Sequence, residues 1–293
     1  MEKITATKKG RIALLLLCSV LIPQNLFAIT ITKMNSANNL ASALVGEGIT
    51  ISNVSYKGKK AASGYFSGGK DAGIEIESGI VLTSGYASNL NGVSNTSSSK
   101  SGNNYVPGDS QLGALIPGYS TYDAAVLSFD FVSTGDSAYF NYVFGSEEYP
   151  EWVNSSFNDV FGFFVDGTNY AVLPDSTPVT IDTVNAKVNS DLYNDNSKGI
   201  YATEYDGFTD VLTASITNLN PGQSYNLTLA VADAGDYAYD SGIFLGAGSF
   251  SKEPPPDPSS PVPEPSTTVL LLAGALYCCF HTVIRKRLLF REA

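Results

Sequence analysis

Residues 29 to 253 contain no cysteine and no histidine. The three cysteines are Cys18, Cys278 and Cys279, and the one histidine is His281, all near the two ends of the chain. This absence removes disulfides, thiol nucleophiles and cysteine-ligated metals from the central stretch. It also removes Ser-His-Asp and Cys-His catalysis and histidine-bound zinc or iron. Basic residues are scarce there as well. Of 17 Lys and Arg, four lie within the first 11 residues and four between Arg285 and Arg291, which leaves nine against 24 Asp and Glu. The central stretch therefore carries about −15, more than the −11 of the whole chain. That charge argues against nucleic acid and anionic lipid as partners and favours solubility and divalent cations. Helical pattern is sparse too, with Asn35 to Val45 the one credible helix.

The ends read as addresses. Lys3, Lys8, Lys9 and Arg11 precede an apolar run from Ile12 to Ile22 and a polar stretch from Pro23 to Ala28. This is the layout of a secretory signal peptide over 1–28, cut after Ala28. At the other end, Ser251 to Pro263 is a Pro-rich linker, extended at about 3.1 Å per residue. The 19 residues from Ser266 to Ile284 form an apolar run. As a helix they measure roughly 28 Å at about 1.5 Å per residue, which just covers a hydrocarbon core of about 30 Å. Arg285, Lys286 and Arg287 follow, and the positive-inside rule keeps them cytoplasmic. A C-terminal transmembrane helix within 264–293 is the expectation.

What remains, 29–250, is long enough for one sizeable core. Short runs of β-formers recur along it: Ile49–Val54, Ile74–Ile76, Ile80–Thr83, Ala124–Val132, Ala138–Phe144, Val160–Val165, Val179–Val184, Thr209–Thr217, Ser224–Val231 and Gly242–Phe250. Asp166-Gly167 and Pro221-Gly222 read as tight turns between paired runs. The expected fold is all-β, a jelly-roll-like β-sandwich with one short N-terminal helix. The unbroken apolar run Val160–Val165 suggests a central strand covered on both faces. Gly85 to Gly108, polar and low in complexity, reads as a long exposed loop.

Two acidic segments stand where strands give way to loops. One runs from Phe144 to Phe164 and holds Glu147, Glu148, Asn158 and Asp159; the other runs from Val231 to Gly242 and holds Asp233, Asp236 and Asp240. Calcium takes six to eight hard oxygen ligands and needs neither His nor Cys. These seven residues are the candidate ligands. Glu147 and Glu148 point to opposite faces if they continue a strand, so one of them would serve. The alternative is that the acids cap turns and bind backbone amides. Asn194 to Tyr205 is not an EF-hand, since Lys198 occupies a ligand position and Glu204 falls one place short. A carboxylate pair walled by Trp152, Tyr149 and Tyr237 would also suit a glycosidase, or the aromatics alone a sugar-stacking surface.

Two resemblances follow from these motifs. Pro263-Glu264-Pro265, the apolar span and Arg285-Lys286-Arg287, in that order, resemble the PEP-CTERM sorting signal of Gram-negative bacteria. It implies export with signal peptidase and exosortase as partners, transient inner-membrane anchoring, cleavage of the tail, and release to the cell surface or extracellular matrix. Phe144–Tyr149, Phe157–Phe164, Tyr205–Thr209 and Asp233–Phe250, with Leu40–Val54 and Gly79–Gly85 as an opening, resemble the choice-of-anchor L domain. That family implies a secreted surface module and carries no catalytic set. The expectation is a non-catalytic exported protein that binds polysaccharide or a surface protein, with calcium stabilising its loops. The alternative is a secreted glycosidase acting on matrix polysaccharide.

Overall fold

The computed structural model describes residues 28–92 and 94–255. All but the last residue of the expected signal peptide over 1–28, the end of the linker and the expected sorting tail, with Pro263, Glu264, Pro265, Arg285, Lys286 and Arg287, lie outside the described residues. Among the described residues no helix is long and apolar enough to cross a membrane.

The strands in chain order are β1 (Thr30–Lys33), β2 (Ile49–Lys57), β3 (Ser63–Ser67), β4 (Ser78–Thr83), β5 (Thr121–Ser133), β6 (Ala138–Ser146) and β7 (Val160–Val165), followed by β8 (Thr168–Asn169), β9 (Tyr193–Asp195), β10 (Gly207–Thr209), β11 (Leu212–Ile216), β12 (Ser224–Ala234) and β13 (Ser241–Gly246). They form two sheets. The first is ordered β1-β3-β4-β13-β6-β10-β9, with β11 also paired to β6; the second is ordered β2-β5-β12-β7-β8. All of these pairs are antiparallel. From β4 onward the chain passes back and forth between the sheets. The resulting orders, β4-β13-β6-β11 and β5-β12-β7-β8, are those of two interleaved Greek keys.

The sheets face one another across the main core. Phe129 and Phe131 of β5, Leu227 and Leu229 of β12, and Phe161 and Phe163 of β7 meet Phe140, Tyr142 and Phe144 of β6 and Ile243 and Leu245 of β13. Aromatic contacts join the layers directly, with ring centroids 5.3 Å apart for Phe140 and Phe163 and 5.1 Å for Tyr142 and Phe161. Phe250 closes the same core against Phe131 at 4.9 Å. The expected helix is α1 (Ala37–Leu44), capped by Ser36 through Asn39 N–H and buried along Leu40, Ala41 and Leu44.

β7 has the boundaries read from the sequence, and every one of its residues is buried. Its second face is covered by a helix the sequence reading missed, α2 (Ser110–Leu115). Asp109 caps α2 by accepting from Gln111 and Leu112 N–H, and Leu112 packs with Val126, Phe164 and Ala230. Asp166-Gly167 makes the expected two-residue turn between β7 and β8, with φ of 47° and 83°. Two expected strands are absent. Ile74–Ile76 lies outside any strand, and Val179–Val184 holds a turn organised by the Thr183 hydroxyl, which donates to Pro178 O and accepts from Thr180 N. Short apolar runs do not by themselves distinguish a strand from a buried loop.

Candidate functional site

Strand register brings one end of β5, β6, β7, β10, β12 and β13 to a common edge of the sandwich. Ser146 pairs with both Ser241 and Gly207, Ala232 with Val160, and Asp233 with Tyr122. Side chains alternate between the faces of a strand, so each core-facing row can be followed towards this edge in steps of two. Every such row changes character there. Val231 gives way to Asp233, Phe161 to Asp159, Ile243 to Ser241, Leu82 to Ser84, and Phe144 to Ser146 and then Glu148. All of these polar residues are buried. The hydrophobic interior ends in a layer of carboxylates and hydroxyls. A bulge accompanies the change: Val231 pairs with Ala125 and Asp233 with Tyr122, so β5 carries the extra residue, and there the buried Asp123 has φ of 48°.

Glu147 and Glu148 lie just past β6 and do point to different faces, yet both are buried, each with its own acidic neighbours. Glu148 accepts from Asp159 N–H at 3.2 Å on the interior side. Glu147 accepts from Lys100 N–H at 3.2 Å, on the outer face of the first sheet, and faces Asp206, Glu204 and Asp240. On that face Tyr205 lies against Gly145 and Gly242, where an added Cβ would fall 2.5 Å and 2.2 Å from its atoms. Glu204 and Asp206 were not among the candidates. The sequence signal that could have found them is their position immediately before β10, beside the Tyr205–Thr209 motif.

Several of these oxygens have no partner. Asp233 is 1% exposed, and neither of its carboxylate oxygens is hydrogen-bonded; Asp159 Oδ2, Asp206 Oδ2, Asp240 Oδ1 and Ser241 Oγ are in the same state. Among the described residues the one cation paired with a buried acid is Lys100, 3.6 Å from Glu204. Burial accordingly drives the carboxyls towards the protonated form. Glu147 is pushed up to about 10, by burial first and then by Asp206, Glu204 and Asp240. Asp240 rises to about 7 and Asp206 to about 6, with burial the leading cause in each. Glu148, Asp159 and Asp233 all rise from burial and mutual repulsion.

The other candidates sit differently. Asp236 is half-buried and accepts from Ala238 N–H at 2.9 Å, a turn cap. Asn158 uses its Oδ1 to accept from Asp182 N–H at 3.3 Å. The segment from Gly85 to Gly108 is not the exposed loop expected from its composition. Asn104 is buried and donates to Gly85 O at 2.7 Å, Thr96 donates to Glu204 at 2.9 Å, Asn95 donates to Asp206, and Lys100 reaches Glu147 and Glu204. Polar composition is what an acid-covering lid requires, so composition could not distinguish the lid from a free loop. Of the expected aromatic walls, Tyr149 is buried, its hydroxyl donating to Val184 O at 2.6 Å. Trp152 packs edge-on against Phe157 and Tyr239, and only Tyr237 is exposed.

Among the described residues no three acids are already grouped as a metal shell would group them. The donor chemistry nevertheless suits a hard cation. Both Asp233 oxygens, Asp159 Oδ2, Asp240 Oδ1 and the Ser241 hydroxyl lack hydrogen bonds, in a space where an uncompensated charge is costly.

A two-sheet, all-β domain with an acid-lined interior edge is thus the class that fold and site define. The chain belongs to the choice-of-anchor L domain family, whose model matches residues 28–251. Membership marks it as an exported, surface-associated protein. Curated proteins and solved structures yielded no match.

Proposed function

We propose that the protein is a non-catalytic module of the cell surface or extracellular matrix that binds polysaccharide or a surface protein, and whose acid-lined edge is closed by calcium. The observation that carries this reading is Asp233, buried with both oxygens unpartnered beside Asp159 and Glu148. A divalent cation would displace the protons these groups otherwise hold. Glu148, Asp159 and Asp233, with hydroxyls from Ser84, Ser146 and Ser241, are the donors within that interior layer. Calcium's variable coordination tolerates the side-chain adjustment needed to close round it. Binding would tie together strand ends whose connecting loops form the surface above. The burial of Glu147 and Glu148 supports binding over glycoside hydrolysis, which needs carboxylates facing an open groove.

The test is a thermal melt of the purified protein after rigorous chelation and again with millimolar calcium. A midpoint that rises with calcium, and loses that response in Asp233→Asn, is expected. An unchanged midpoint sinks the metal reading. The sorting reading rests on Pro263-Glu264-Pro265 and Arg285-Lys286-Arg287, with exosortase and signal peptidase as processing partners and a transient stay in the inner membrane. Intact mass of the protein recovered from the cell surface should show termini near Ile29 and near Pro265. Recovery of a chain still carrying Arg285 would sink the cleavage claim.

A further inference from the structure

Five large apolar or aromatic side chains are exposed among the described residues, and three of them, Tyr86, Tyr105 and Tyr237, lie on the loops that cover the acid layer. Tyr105 is the extreme case, at 76% exposure. Its ring centroid is 6.1 Å from that of Tyr237, which in turn is 4.3 Å from Tyr122 at the start of β5. Tyr86 flanks the group, its ring lying over Gly102 and its hydroxyl donating to Asn103 O at 3.4 Å.

The backbone beneath Tyr105 is built to present it. Tyr105 has φ of 53°, the left-handed region that a bulky aromatic rarely occupies. Both neighbours are held by one buried carboxylate: Asp123 accepts from Asn104 N–H at 2.8 Å and from Val106 N–H at 2.7 Å. Asp123 N–H donates back to Val106 O at 3.0 Å, and Ala124 N–H to Pro107 O at 3.2 Å. The far side of the segment is fixed by the Asn104 amide, which donates to Gly85 O at 2.7 Å. A residue kept in a disfavoured conformation by this many bonds, with its side chain in solvent, is a mark of function over packing.

We infer that the exposed rings of Tyr105 and Tyr237, the latter backed by Tyr122, form a stacking site for the pyranose rings of an uncharged polysaccharide. This rests on the polysaccharide-binding reading and gives it a site. Tyrosine rings offer apolar faces to a sugar while their hydroxyls stay in water. The charge selects the class of ligand: a domain whose formal charge is near −15 repels a polyuronate or sulfated chain and tolerates a neutral one.

Native-gel affinity electrophoresis of the protein as recovered from the cell surface tests this. The gels contain a soluble β-glucan, a mannan or a galactan, with alginate as the polyanionic arm. The expected result is retardation by at least one neutral polysaccharide, weakened about tenfold by Tyr237→Ala and by Tyr105→Gly. Glycine suits the left-handed conformation, so Tyr105→Gly should melt no lower than the parent while losing ligand, which a purely structural tyrosine would not do. Retardation that persists in the double variant overturns the stacking site and leaves polysaccharide binding standing elsewhere on the molecule. Retardation by alginate alone overturns the ligand class. No retardation in any gel overturns both the stacking site and the polysaccharide reading.

Discussion

The middle of the sandwich and its acid-lined edge are equally buried and energetically opposite. In the middle, Phe129, Phe131, Phe140, Phe163 and Phe250 fill the space with groups that gain from leaving water. At the edge, Glu148, Asp159 and Asp233 occupy the same inward-facing rows but hold oxygens that lose from leaving it. The first region makes the fold stable whatever the solvent contains. The second makes its end depend on protons or cations, so one domain carries both a permanent core and a conditional one.

The largest test of this contrast lies in the middle. Phe140→Ala should cost about 3–5 kcal/mol in urea unfolding, by the same amount with calcium and with EDTA. A calcium-dependent difference would mean that the two regions are not separate. Next comes the ion itself: calcium at a hundred times its Kd should stabilise by about 2.7 kcal/mol. Asp233→Asn should erase that gain, and in EDTA should be at least as stable as the parent, because it removes a carboxyl that folding must otherwise protonate. A variant weaker than the parent in EDTA would show Asp233 to be paired.

Without cations the pH dependence should be unusual. Folding raises Glu147 from 4.5 to about 10 and Asp240 from 3.8 to about 7. The folded state therefore keeps protons that the unfolded chain releases, and stability falls as pH climbs through that range. The urea midpoint in EDTA should be higher at pH 5 than at pH 8, and calcium should shrink the difference. A higher midpoint at pH 8 in EDTA would contradict the raised carboxyls. The smallest effect belongs to Lys100, whose side chain is partly exposed and whose pairing with Glu204 spans 3.6 Å. Lys100→Met should cost about 0–1 kcal/mol, and a larger loss would make the lid a structural element in its own right.

The legible parts of the fold were those where one local pattern had one outcome. Val160–Val165, an unbroken apolar run, became a strand covered on both faces, and Asp166-Gly167 became its turn. The acidic segments were visible as candidates because they interrupt strand ends. Their division into an interior and an outer set was visible only as a parity, Glu147 against Glu148, without the neighbours that give it meaning. Asp206 and Glu204 went unnoticed because their partners are far away in the chain: Asn95 and Thr96 lie 111 and 108 residues distant. Tyr105 looked like any loop tyrosine, since its backbone conformation is imposed by Asp123 across 17 to 19 residues.

Sequence alone determined the class of chemistry. Without histidine or cysteine between residues 29 and 253 the domain has only oxygen donors, and with nine lysines and arginines against 24 acids it cannot pair all of its carboxylates internally. Those are statements about composition, which folding cannot change. Only the tertiary structure decided which carboxylates leave water, which remain unpartnered, and which tyrosines face out. Burial and pairing arise where two sheets and a lid from distant parts of the chain meet, and a charge becomes costly only once they do.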